Sequence, residues 1–287
     1  MTVDPPYTLA EPDPLVSNAV FSSPHSGCHY PPDLVTRSKL DLPNLRASED
    51  ALVDRLFEAA PRLGAPLLCA LAPRAWLDLN RAPDELDPAL IEGVEARGLN
   101  QRVAAGLGVV PRVVAEGREI YNGKITLSEA QARIEAVHTP YHRRLGALLD
   151  RARAQFGTAV LFDCHSMPSE ALRAAPRVRG RTPEIVLGDR FGAAAARAVV
   201  ADTQAAFEAA GFVVARNAPF AGGYITQLYG RPAQRIHAVQ IEIDRGLYLD
   251  QKRVRPGPAF EEVRRRLDRV IAELIARSAP ETRLAAE

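Results

Sequence analysis

The sequence predicts an α/β fold: a single domain with a mainly parallel or mixed central sheet and helices on both faces. Three observations carry this. Apolar strand-like runs alternate with long helical stretches, the pattern of strands joined by crossovers. The clearest strand, TAVLFDC at 158–164, is almost wholly apolar, as a strand covered on both faces must be. No internal repeat and no linker divides the 287 residues, so one domain with inserted loops is expected over 1–287.

Each element follows from local pattern. Residues 1–14 are rich in Pro and acid and read as an N-terminal arm. Residues 15–22 form a short apolar strand, followed by the turn Pro24-His25-Ser26-Gly27. Residues 48–60 put Ala51, Leu52, Leu56 and Ala59 on one helical face. Ser48 is the natural N-cap there, and Glu49 and Asp50 favour the positive end. Residues 66–72 (PLLCALA) are a buried strand, and 82–102 an irregular excursion. Residues 128–156 are strongly helical, with a break near Pro140. The central strand 158–164 follows. Pro168, Pro176, Gly180 and Pro183 make 168–188 a loop. Residues 192–210 are an Ala-rich helix that Gly211 ends. A strand at 212–216, a Gly-rich loop at 218–232 and a strand at 237–243 come next. An amphipathic helix at 259–278 and a frayed tail at 279–287 complete the chain.

Composition narrows the function classes. With 36 basic and 35 acidic residues the net charge is +1, which gives no electrostatic case for nucleic acid or an anionic membrane. Only three of the basic residues are lysines, so a single arginine says little about a special role. Cys28, Cys69 and Cys164 are odd in number and lack CxxC spacing, which fits a reducing compartment. No signal-like N-terminus and no run of 18 apolar residues is present, so a cytoplasmic location is expected.

The chemistry-bearing residues cluster after strands, where sites of open α/β sheets lie. His25 follows the first strand and His165 the central one. Two imidazoles at one sheet edge, joined by a carboxylate, make a three-ligand catalytic metal site open to water. Asp50 is the preferred acid, with Glu49 as the alternative. Hydrogen-bonded structural histidines are the competing reading. Glu242 stands in the apolar strand HAVQIEI, where an acid is costly unless paired or functional, and is a candidate general base. Arg74, Asn80 and Arg81 in PRAWLDLNR suit a substrate carboxylate and an oxyanion, although Asp78 can pair with either arginine. Gly222, Gly223 and Tyr224 (AGGY) allow close backbone approach or form a plain turn. Arg190, after Gly188-Asp189, begins a helix or receives an anion. His138 and His142 (HTPYH) stand at i, i+4, spacing that suits a metal or helix packing.

These residues lie in segments that resemble the N-formylglutamate amidohydrolase family. The segments are SSPHSGCHYP (22–31), SEDALVDRLF (48–57), PRAWLDLNRAPDELDP (73–88), EGREIYNGKI (116–125), HTPYH (138–142), DCHSMPS (163–169), VLGDRFG (186–192), NAPFAGGYIT (217–226) and HAVQIEIDRGLYLD (237–250). The resemblance implies a zinc-peptidase-like (phosphorylase/hydrolase-like) fold, related to metallocarboxypeptidases and to deacylases such as aspartoacylase. It implies hydrolysis of an N-formyl amide to formate and L-glutamate, as in an N-formylglutamate deformylase, late in histidine breakdown. By motif, His25, His165 and Asp50 or Glu49 resemble metal ligands for Zn2+, with Co2+ or Fe2+ as alternatives. Glu242 resembles the carboxypeptidases' base. Asn80 and Arg81 resemble their Asn-Arg pair, with Arg81, then Arg74 and Arg190, expected to hold the substrate carboxylates. Cys28 stands where an HxxE pattern would need its acid, a departure that leaves the second ligand open. The implied partner is a small acidic N-acyl amino acid. Two rivals stand beside it: another N-acyl amino acid or small peptide as substrate, and a non-catalytic binding protein with a degenerate site.

Overall fold

The computed structural model describes residues 4–95, 98, 100–173 and 175–278. Seven strands form the main sheet: β1 (Tyr7–Ala10), β2 (Ala19–Ser23), β3 (Leu67–Ala70), β4 (Ala159–Met167), β5 (Ile185–Gly188), β6 (Val214–Arg216) and β7 (Ile236–Asp244). Their spatial order is β1-β3-β2-β4-β7-β5-β6. The central four, β3, β2, β4 and β7, run parallel. β1 and β5 join their neighbours antiparallel, and β6 runs parallel to β5. The sheet is therefore mixed around a parallel centre, and helices cover both faces.

Period-two alternation assigns each strand residue to a face. On one face Phe21, Phe162, Cys164, Val239, Ile241 and Ile243 pack with Val263, Leu267, Val270 and Ile271 of the helix Phe260–Ser278. The helix Arg197–Ala209 adds Val200 and Phe207. On the other face Val20, Leu161 and Ala238 pack with Tyr141, Leu145, Leu148 and Leu149 of the helix Thr139–Phe156. Burying each Val, Leu, Ile or Phe among these is worth about 1.5–3 kcal/mol against leaving it exposed.

Several elements differ from expectation, each for a local reason. The N-terminal segment contributes β1, which pairs with β3 and closes that edge. The helix expected over 48–60 is broken. Ser48 ends a short 3-10 turn, Leu52 takes a left-handed φ of 66°, and only Val53–Leu56 and Ala60–Leu63 are helical. The Asp50 N–H bonds to His25 O at 3.0 Å, so the acid turns inward instead of capping a helix. β4 continues through His165 to Met167, so His165 lies inside the strand's last turn of pleat, not beyond it. The segment read as loop over 168–188 ends in β5, and the Gly-rich segment over 218–232 contains the helix Tyr224–Tyr229. The second long helix starts at Arg197, past the Gly188-Asp189-Arg190 segment. The expected break near Pro140 is a π turn, Ile134–His138, within one continuous helical stretch. The tail 279–287 lies outside the described residues.

Candidate metal centre and active site

The first histidine is placed by a turn that only glycine permits. A Cβ on Gly27 would lie 2.1 Å from Ala72 O, so the chain after β2 folds tightly against the end of β3. The Ser23 hydroxyl donates to Ser26 Oγ at 2.9 Å and stiffens the same turn. His25 leaves this turn toward β4, and its ring meets that of His165 edge-on at 4.7 Å between centroids.

Both imidazoles are buried, and their partners fix their orientation. His25 Nε2 lies 2.7 Å from Asp78 Oδ1. His165 Nε2 approaches Asp163 Oδ2 to 2.9 Å, though neither Asp163 oxygen completes a well-aligned hydrogen bond. The Asp78 carboxylate at Nε2 keeps the His25 proton there and leaves its Nδ1 as the free lone pair. The Nδ1 atoms of both rings face Asp50 Oδ2, at 3.4 Å from His25 and 2.9 Å from His165. His25 Nδ1 has no hydrogen-bond partner despite its burial. Ligand atoms of His25, Asp50 and His165 all lie within 4.8 Å of one another.

The two candidate acids separate here. Glu49 is held by Arg46, with Nε to Oε1 at 2.9 Å and Nη2 to Oε2 at 3.0 Å. Asp50 joins the histidines, and its Oδ1 accepts from Arg245 Nη2 at 2.8 Å. Burial pushes the Asp50 carboxyl up, but the hydrogen bond from His165, the adjoining His25 ring and the Arg245 charge hold it well below its usual range. Two nitrogens and one carboxylate oxygen are a donor set that suits a divalent cation such as Zn2+. The charge balance agrees. Asp50, Asp78, Asp163 and Glu242 are all buried, and among the described residues Arg74 and Arg245 are the guanidinium groups that bond to any of them. A cation bound here would offset the remaining negative charge.

Glu242 pairs in register with His165 across β4 and β7, so both side chains stand on one face. Burial raises its carboxyl to about 7, with Asp50 adding to the rise and the His165 charge opposing it. Gln240 Nε2 donates to Glu242 Oε1 at 2.7 Å, while Gln240 Oε1 accepts from Gly223 N–H at 2.8 Å. A carboxyl titrating near neutrality beside a candidate metal centre is suited to taking and returning a proton.

Asn80 reaches the centre and Arg81 turns from it. Asn80 Nδ2 lies 3.3 Å from His165 Nε2, and its Oδ1 accepts from Ile225 N–H at 2.8 Å. A Cβ on Gly223 would lie 2.5 Å from both terminal atoms of that carboxamide, so Asn80 itself fills the space glycine leaves. Arg81 donates through Nε to Leu107 O at 2.8 Å and through Nη1 to Asn80 O at 3.0 Å. Arg74 pairs with Asp78 at 3.0 Å and lines a cavity of about 410 Å3, with Arg245, Leu107, Val113 and Val114 among its walls. Arg190 has a φ of 54°, and its Cγ packs over Gly222, whose own φ is 123°. Tyr224 packs against His138 and His142, at 6.0 and 5.5 Å between centroids.

Three residues of this site were not singled out from sequence as its parts: Asp78, Asp163 and Arg245. Asp163 was within reach, because in a strand it shares a face with His165 two residues on. Asp78 was read only as a salt-bridge partner, and it is one, to Arg74. Arg245 gave no signal among so many arginines.

The comparisons with known proteins bear on this geometry. The family model for N-formylglutamate amidohydrolase matches residues 17–249. The N-formylglutamate deformylase of Pseudomonas aeruginosa is 34% identical over 236 residues, covering 81% of this chain and 82% of its own. That of Pseudomonas putida is 32% identical over 235 residues, with the same shares. The crystal structure of an N-formylglutamate amidohydrolase from Ralstonia eutropha superposes with a TM-score of 0.87 at 35% identity, covering 95% of this chain and 99% of that one. A gene product of Agrobacterium tumefaciens shares the fold, with a TM-score of 0.63 at 20% identity over 95% and 94% of the two chains.

Proposed function

Because the chain belongs to the N-formylglutamate amidohydrolase family, we propose that it hydrolyses the formyl amide of N-formyl-L-glutamate to formate and L-glutamate. That it is a hydrolase acting on an amide follows from the family. The observation that carries the finer reading is the buried convergence of His25, Asp50 and His165, with Glu242 in register beside His165. A divalent cation held by those three residues, Zn2+ first and Co2+ or Fe2+ as alternatives, supplies Lewis acidity that makes water a stronger acid and draws charge onto the formyl oxygen.

The chain's own groups supply the rest. Glu242 takes a proton from the attacking water on a carboxylate oxygen, and the water oxygen bonds to the formyl carbon. The C–N bond then breaks, and Glu242 returns the proton to the departing amine nitrogen. Asn80 Nδ2, 3.3 Å from His165 Nε2, offers its amide protons to the formyl oxygen as its charge grows. Arg74 offers its remaining donors to a substrate carboxylate from the cavity wall. Arg81 acts here by tying Leu107 into that wall, with Arg190 and the Gly222-Gly223-Tyr224 segment at the next remove. Arg245 orients Asp50.

The substrate is then a small acidic N-acyl amino acid, and the setting is cytoplasmic, late in histidine breakdown, without nucleic-acid or membrane partners. No helix among the described residues is long and apolar enough to cross a membrane. Formate release from N-formyl-L-glutamate, before and after chelation and with Zn2+ restored, tests the reading. Metal-dependent release that falls as formyl is replaced by acetyl and longer acyl groups is the expected result. Bound metal without release transfers the site to another N-acyl substrate. Neither metal nor release overturns the metal centre.

A further inference from the structure

Leu79 and Arg81, the neighbours of Asn80, both give their carbonyl oxygens to imidazoles. His142 Nε2 lies 2.9 Å from Leu79 O, and His138 Nε2 lies 2.9 Å from Arg81 O. A carbonyl only accepts, so each ring carries its proton on Nε2. That assignment leaves neither Nε2 for a metal. Burial lowers the pKa of both rings, that of His142 to about 3 with the help of His138, so both stay neutral.

The rings are locked in turn. They lie 4.1 Å apart between centroids, tilted by 31°. Tyr229 stacks on His142 at 5.9 Å, and its hydroxyl donates to His142 O at 2.9 Å while lying 3.1 Å from His142 Nδ1. His138 closes the π turn Ile134–His138, in which Thr139 N–H reaches back five residues to Ile134 O. Pro140 has no N–H to continue the regular ladder, so the wider turn takes up the defect. The i, i+4 spacing legible in HTPYH thus serves neither of its first readings alone.

We propose that His138 and His142 are positioning residues: by holding the carbonyls on both sides of Asn80, they fix its carboxamide between His165 and Ile225. The kinetic consequence rests on the functional reading above, whereas the geometry does not. Asn80 has its side chain pinned on one side by Ile225 N–H and Gly223. Its backbone N–H donates to Asp78 Oδ1 at 2.8 Å. Arg81 Nη1 holds Asn80 O at 3.0 Å, and the two imidazoles anchor the peptide before Asn80, through Leu79 O, and the one after Arg81, through Arg81 O; without them this stretch of backbone could rotate and draw the carboxamide off the reacting carbonyl.

The test compares His138→Phe and His142→Phe with His138→Gln and His142→Gln, each alone and combined with Asn80→Ala. A phenyl ring keeps the packing and loses the donor, whereas Gln keeps a donor near the Nε2 position. The Phe variants are expected to lose about 10–100-fold in kcat, with KM and bound metal within about twofold. The Gln variants should stay within about threefold of the parent. In the Asn80→Ala background the Phe substitutions should cost nothing further, because the group they act through is gone. Amide exchange at Ile225 should quicken by about tenfold or more in the Phe variants, with β4 and β7 unchanged. That readout stands whether or not N-formylglutamate is the substrate. Additive kcat losses with Asn80→Ala, or unaltered exchange at Ile225, overturn the proposal. If a Phe variant does not fold, Met at the same position replaces it, with the same outcomes deciding.

Discussion

The two faces of the β4–β7 pair are built from alternate residues of the same two strands, yet they differ in kind. On the face toward the helix Phe260–Ser278, Val160, Phe162 and Cys164 of β4 stand beside Val239, Ile241 and Ile243 of β7. On the other face Leu161 and Ala238 are apolar, but the next pairs are Asp163 with Gln240 and His165 with Glu242. The first face is apolar through its middle, from Phe162 and Val239 to Cys164 and Ile241, with His237 and Ser166 only at its two ends. The other changes character halfway, at the Asp163–Gln240 pair. Stability is concentrated on the first face and at the N-terminal half of the second. Chemistry occupies the C-terminal half of the second, where buried charge costs the fold free energy.

The sharpest way to break this division is Glu242→Gln. We expect kcat to fall about 10²–10⁴-fold with metal still bound, since only the proposed proton carrier is removed. The same change should stabilise the metal-free protein. Glu242 has a folded pKa of about 7, above the ordinary carboxyl value of about 4.3. The folded state therefore binds the extra proton, and this group lowers stability progressively as pH rises from about 4.3 to about 7. Denaturant titrations of the metal-free parent and variant across that window check it, and equal pH slopes would contradict it.

Phe162→Ala probes the opposite face. It should cost about 3–5 kcal/mol of stability through the cavity it leaves. The kcat of the folded fraction should stay within a few-fold of the parent, measured well below the melting point. A large loss of kcat in fully folded protein would show that the faces are coupled.

The smallest effect belongs to Asp78→Asn. Removing the charge behind His25 should weaken metal affinity about 10–100-fold, read by competition with a chelator. Unchanged affinity would mean that His25 needs no carboxylate to orient it.

Much of this was legible in the sequence, and the illegible parts share a cause. The long helices and the three central strands follow from apolar period, and the parallel centre follows from their alternation. His25, His165 and Glu242 could be placed because each sits in or just after a strand. The helix expected over 48–60 fails because its polarity pattern is genuine but its backbone is turned at Leu52 to deliver Asp50 inward, a tertiary demand that periodicity does not encode. β5 is four residues bounded by a proline-rich run, too short to outweigh the loop signals around it. The helix Tyr224–Tyr229 hides behind Gly222, which takes a φ of 123°, and Gly223, which makes room for Asn80. Arg81 was ranked above Arg74 by motif, and only the fold shows that Leu107 O and Asn80 O engage its donors.

β1 has a practical consequence. The segment matched by the family model, 17–249, omits both Tyr7–Ala10 and the helix Phe260–Ser278. A fragment cut at those limits would present the bare rim of β3 as a template for another chain's backbone and strip from Phe162, Val239 and Ile241 the cover that Val263, Leu267 and Ile271 give them. Such a fragment carries every candidate ligand and should still precipitate. The limits of recognisable kinship and the limits of a soluble piece are different quantities in this protein.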